Sequence, residues 1–144
     1  MSGESKQGLE MQKQLAIVKV PGKISVKHMK NTSNLQPNDS TSWKQFWEDK
    51  SSLNFPAISE ECPCCHKGRN PDDFVGSHIY EVADKNKMYI YPICKSCNSK
   101  HGEGKKESPI FDVLNARCVT FHFSDCKEVP EHHEEFYWEL PRDV

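Results

Sequence analysis

The chain has no long apolar run. Its most hydrophobic early stretch, Leu15-Ala16-Ile17-Val18, is too short for the apolar region of a secretion signal and far too short to span a bilayer. A soluble protein, not exported by that route, is expected. A large charge excess is missing too: 19 Lys and Arg stand against 21 Asp and Glu, for a formal net charge of −2. By segment the balance is +1 over residues 1–61, +2 over 62–107 and −5 over 108–144. This excludes a strongly basic nucleic-acid binder but leaves room for a local phosphate contact. Apolar residues are scarce, 35% against 28% charged, with a mean hydropathy of −0.78. In 144 residues that suffices for one domain with a sparse core, and the ends of the chain are the parts expected to stay unburied.

What is there in quantity is cysteine. Seven is an odd number, which speaks against a closed disulfide framework, and four of the seven fall into two C-x2-C pairs. That pattern points to metal binding and to a reducing, intracellular compartment, cytoplasmic or nuclear. The first pair, Cys62 and Cys65, lies in "ECPCCHKG"; the second, Cys94 and Cys97, in "CKSCNSKHG". Zn(II) prefers four soft or borderline ligands in a tetrahedron, and two such pairs deliver four thiolates from two turns of backbone. One structural zinc per chain is therefore predicted. In the first pair Pro63 stiffens the turn and Gly68 is placed to take a positive φ, the form of a zinc knuckle. The second pair is expected to straddle a helix start, where backbone N–H groups point at the thiolates. Cys64 could replace Cys62 or Cys65, and His66 is a weaker substitute. Cys118 and Cys126 flank His122 and, with His132 or His133, compose a second group on paper; core thiols in a strand are the plainer reading. The "EHHEE" run reads as solvated surface.

Residues 1–13 are polar and aperiodic and read as a disordered leader. Residues 14–127 read as a single zinc-binding domain with its metal core at 60–105, and 128–144 as an acidic tail. Within "LAIVKVPGKISVKHM" two strands alternate around Pro21-Gly22, with Ile24, Val26 and His28 on one face. Residues 31–40 form a loop. "TSWKQFWEDK" predicts a short amphipathic helix with Ser42 as N-cap and Gln45 completing a capping box. Its stripe of Trp43, Phe46 and Trp47 is either core, packed on the metal module, or a partner-binding patch. "GSHIYEVADKNKMYIYPI" is a hairpin turning at Asp84-Lys85-Asn86-Lys87. Any helix beginning at the second cysteine pair should be short, because "NSKHGEGKKE" follows. "IFDVLNARCVTFHF" reads as strand, or a second hairpin, with Val119, Phe121 and Phe123 opposite Thr120 and His122. Phe136, Tyr137 and Trp138 either dock on the domain or lie free.

A knuckle, a hairpin and a helix start carrying the second pair is the element order of a treble clef. The fold class expected is thus α+β: a small zinc-stapled treble clef with flanking strands and one short aromatic helix. The run from Cys62 to His101 resembles the zinc-bound form of the HNH endonuclease module. It resembles more closely a group of small uncharacterised proteins with "G-x-H-[VI]" followed by "[YF]-I-x-P-[LI]-C-x-x-C-N". The matching residues are Gly76, His78, Ile79, Tyr89, Ile90, Pro92, Ile93, Cys94, Cys97 and Asn98.

The HNH resemblance implies His78 as general base and His101 as ligand to a catalytic Mg(II) or Mn(II). Ser77 stands where that resemblance implies an Asp or His ligand, and Tyr89 where it implies the orienting Asn. A lone imidazole holds a hard cation weakly, so the nuclease loses its grip on the metal. His78 also has a structural role open to it beside the metal centre, and His101 could equally be an exposed residue of a glycine-rich loop. The leading expectation is a zinc-stabilised binding module for a protein or nucleic-acid partner, without catalysis and without a membrane. A divergent HNH-type nuclease is the alternative. Lys85, Lys87, Lys95, Lys100, Lys105 and Lys106 would meet phosphates if the partner is nucleic acid. A thiol-redox role for "CPCC" is weaker, because zinc-committed thiolates are poor nucleophiles.

Overall fold

In the computed structural model the described residues are 22–53, 60–103 and 106–138. The expected leader, the first arm of the N-terminal hairpin and Lys105 lie outside them. The described chain is α+β: a five-stranded antiparallel sheet, a two-stranded ribbon and two helices. Its strands are β1 (Lys23–His28), β2 (Glu60–Glu61), β3 (Gly68–Arg69), β4 (Phe74–Glu81), β5 (Met88–Cys94), β6 (Phe111–Leu114) and β7 (Val119–Phe121). The helices are α1 (Trp43–Ser51) and α2 (Lys95–Gly102). The large sheet runs β6-β1-β4-β5-β7, and β2 pairs with β3 apart from it.

The hairpin β4–β5 is the spine. Asp84 closes its turn twice, its carbonyl accepting from Lys87 N–H at 2.9 Å and its carboxylate from Asn86 N–H at 3.1 Å. Seven consecutive pairs follow without a bulge, from Tyr80 opposite Met88 to Phe74 opposite Cys94. Pro92 fits inside β5 because β7 covers only Met88 to Ile90, which leaves Pro92 on an open edge where no N–H is needed.

α1 forms where the aromatic spacing and Ser42 place it. Ser42 Oγ accepts from Gln45 N–H at 3.1 Å, but the Gln45 amide donates forward to Asp49 at 2.9 Å, so only half of the expected capping box exists. Trp43, Phe46 and Trp47 are all buried, which settles the choice between core and surface patch in favour of core. Both indoles are satisfied, Trp43 Nε1 donating to the Leu35 carbonyl and Trp47 Nε1 to that of Arg117. The helix sits directly on β4 because residue 76 is glycine: a Cβ there would lie 2.7 Å from the Trp43 carbonyl carbon.

One of the two strand readings fails. Residues 110–123 are not a hairpin. β6 pairs with β1 and β7 with β5, so the two short strands, separated by a 3-10 turn at Asn115–Arg117, lie on opposite edges of the sheet. β1 in turn is flanked by β4 and β6. The burial alternation nevertheless holds: Val119, Phe121 and Phe123 are buried, Thr120 and His122 exposed. The C-terminal aromatics dock. Phe136 and Tyr137 are buried, the Phe136 carbonyl accepts from Lys30 N–H at 3.0 Å, and Tyr137 packs edge-on against Tyr80.

Candidate metal centre

The ribbon β2–β3 brackets the first cysteine pair. Within it Cys62 N–H donates to the Lys67 carbonyl at 3.0 Å, and the Cys62 carbonyl accepts from His66 N–H at 2.8 Å, curling the chain so that Cys62 and Cys65 face one way. The positive φ this turn requires falls on His66, at 63°, and not on Gly68 as expected. His66 is thus a backbone pivot, with its ring exposed.

The second pair lies where β5 ends. Cys94 is the N-cap of α2, its sulfur accepting from Cys97 N–H at 3.5 Å. Both sulfurs therefore sit at the positive end of the helix, as the spacing predicts. Because β4 and β5 pair down to Phe74 and Cys94, and β3 ends five residues before Phe74, the knuckle is delivered to the start of α2.

The sulfurs of Cys62, Cys65, Cys94 and Cys97 all lie within 4.8 Å of one another, and those of Cys65 and Cys94 are 3.9 Å apart. Zinc bonded to four sulfurs at about 2.3 Å spaces them about 3.8 Å apart. Distances and donor chemistry both fit a metal ion of the zinc type: four soft sulfurs, three of them on buried residues, with no hard oxygen ligand among them. Among the described residues no other group of three or more such donors converges. All seven cysteines are free thiols.

The local electrostatics differ from sulfur to sulfur. Burial pushes the Cys62 and Cys97 thiols up. Burial also acts on Cys65, but the Lys67 backbone N–H, the Arg69 guanidinium and the Cys97 and Cys62 thiols together outweigh it and bring that thiol down to about 6. Arg69 donates to the Cys65 sulfur at 3.6 Å. Cys64 stands outside the group of four, half-buried and pushed up to about 11 by desolvation. Cys118 and Cys126 are packed thiols: Cys118 donates to the Leu114 carbonyl, and Cys126, buried, pairs with Pro37.

The two histidines of the nuclease alternative are not brought together. His78 is buried, its ring edge-on to Trp43 and Phe121 with both centroids 4.7 Å away, and its Nε2 has no hydrogen-bond partner among the described residues. Desolvation lowers its pKa to about 3. His101 stacks instead on His28 at 5.3 Å and directs Nδ1 at the Lys106 carbonyl. His28 lies opposite Ile79 in the β1–β4 ladder, so it shares the face of Ile79, which is the face away from His78. His78 and His101 therefore occupy opposite faces of the sheet. Ser77, on the α2 side, donates to Asn98 Oδ1 at 2.7 Å.

The described lysines do not form one cluster either. Lys85 and Lys87 sit at the hairpin tip, and the seven residues of β5 carry the chain about 23 Å from there to Lys95. Sequence reasoning missed Arg69 and His28. Arg69 carries no periodic signal, and the approach of His28 to His101 depends on a strand pairing that spans the chain. Compared with known protein families, curated proteins and solved structures, the chain matches none.

Proposed function

We propose that this chain is a zinc-stapled treble-clef module that binds a protein or nucleic-acid partner in a reducing, intracellular compartment and does not itself catalyse a reaction. The observation that carries this reading is the convergence of four cysteine sulfurs within 4.8 Å, two from a knuckle and two from a helix start. The order of elements supports the treble clef: knuckle β2–β3, hairpin β4–β5, helix α2. Structural zinc contributes on the order of 10 kcal/mol of apparent folding free energy, which a chain this poor in apolar residues uses to fix its shape.

Zinc here would be held by Cys62, Cys65, Cys94 and Cys97, a saturated set with no open position for water. Such a site staples and does not activate. The nuclease alternative finds no support in the positions of His78 and His101, since a general base sealed between Trp43 and Phe121 reaches no substrate.

Capture experiments with the zinc-loaded chain, with and without nuclease digestion of the extract, test the reading. A partner retained by the zinc-loaded chain and lost from a Cys97→Ser chain is expected, alongside no cleavage of DNA or RNA with Mg(II) or Mn(II). Robust cleavage that disappears in His78→Ala while zinc is retained would overturn the proposal.

A further inference from the structure

The cysteine centre has a cation built against it. Arg69 lies one residue past Gly68, on the outgoing strand of the knuckle, where its ladder partner is Glu60. That carboxylate does not neutralise it, because Glu60 accepts from Arg117 Nη1 at 3.1 Å. The nearby Asp73 carboxylate accepts instead from the Asn70 backbone N–H. The Arg69 guanidinium turns to sulfur: one Nη donates to Cys65 at 3.6 Å, and the Cys94 sulfur acts on its charge as well. Those two sulfurs are 3.9 Å apart and form one edge of the tetrahedron. The buried Nε of Arg69 has no hydrogen-bond partner among the described residues. Cys65 is also the one ligand of the four that is not fully buried, which makes it the sulfur that a proton, a chelator or an electrophile meets first.

Four thiolates around a dication leave a net charge of −2 in a partly buried place, and a planar guanidinium is the side chain able to span an edge of such a cluster. We propose that Arg69 is the positioning and charge-compensating residue of this centre, bridging Cys65 and Cys94 and setting how fast the metal leaves. The proposal rests on the zinc reading above. Arg69 acts through the ligands and binds no metal itself. By covering the exposed sulfur it slows the first step of metal loss, in which one thiolate detaches and is captured.

The test uses the full zinc-loaded chain, a chromogenic zinc chelator in excess, and iodoacetamide labelling mapped by mass spectrometry. Arg69→Gln should release zinc about 10-fold faster, with Cys65 the first cysteine alkylated. Arg69→Lys, which keeps the charge but not the fork, should fall between the two, and it carries the test if the glutamine variant does not fold. Lys87→Gln removes an equal charge at the exposed hairpin tip and should leave the rate unchanged. Wild-type rates in both Arg69 variants, or equal acceleration in Lys87→Gln, would overturn the bridging role while leaving the zinc reading intact. A wild-type chain that binds no zinc would remove the zinc reading itself.

Discussion

Two regions beside the β4–β5 hairpin are held together by different means. Where β5 meets α2, the contacts are four sulfurs, a knuckle only two residues wide in each strand, and one guanidinium. On the face that carries α1, they are rings: Trp43 edge-on to Phe46, His78 and Phe121, and Phe121 in turn on Phe123. One region gathers four metal-binding sulfurs, the other apolar area. The difference shows how a chain with few apolar residues divides the task, packing rings under α1 and leaving the knuckle and the start of α2 to coordination.

Removing the metal should break this comparison most sharply. In the chelated chain, amide exchange at residues 60–70 and 95–102 is expected to approach that of unprotected peptide, while α1 and the centre of β4–β5 keep their protection. Uniform loss across all elements would show that the two regions are not separable. Truncating the other side comes next. Trp47 is fully buried and hydrogen-bonded, so Trp47→Ala should lower stability by about 3–5 kcal/mol in denaturant titrations while one zinc remains bound. Gly76→Ala forces a methyl to within 2.7 Å of backbone in α1. A loss of about 1–3 kcal/mol is expected, again with the metal retained.

A further effect is confined to acid. Burial, reinforced by the neighbouring His101, lowers His28 to about 3, and burial alone lowers His78 to about 3, against 6.5 for a free imidazole. Between those values the unfolded chain binds the proton and the folded one does not. The stability contributed by each neutral ring is thus whole above pH 6.5 and is lost as the pH falls, by about 1.4 kcal/mol per unit and per histidine. Among the described residues neither ring nitrogen of His28 has a hydrogen-bond partner, and Phe111 packs against the ring. His28→Phe should therefore fold at neutral pH and flatten the acid limb of the stability profile; an unchanged limb would assign acid sensitivity elsewhere.

Local signals were readable in the sequence. Ser42 followed by three ring-bearing residues at helical spacing specifies α1, and Asp84-Lys85-Asn86-Lys87 specifies the hairpin turn, because cap and turn act within four residues. The two C-x2-C pairs named the four sulfurs that converge, because a turn and a helix start each fix the geometry of their own pair. What depended on distant partners was not readable. β6 and β7 carry ordinary strand patterns, and nothing in either says that they take opposite edges. The separation of His78 from His101 follows from the β1–β4 register, and the positive φ at His66 from the closure of the knuckle as a whole.

Metal analysis of the chain purified without added metal, combined with X-ray absorption at the zinc edge, addresses the central claim most directly. One equivalent of zinc surrounded by four sulfurs at about 2.3 Å is the predicted result. Well under one equivalent, or a first shell containing nitrogen or oxygen in place of a sulfur, would contradict it.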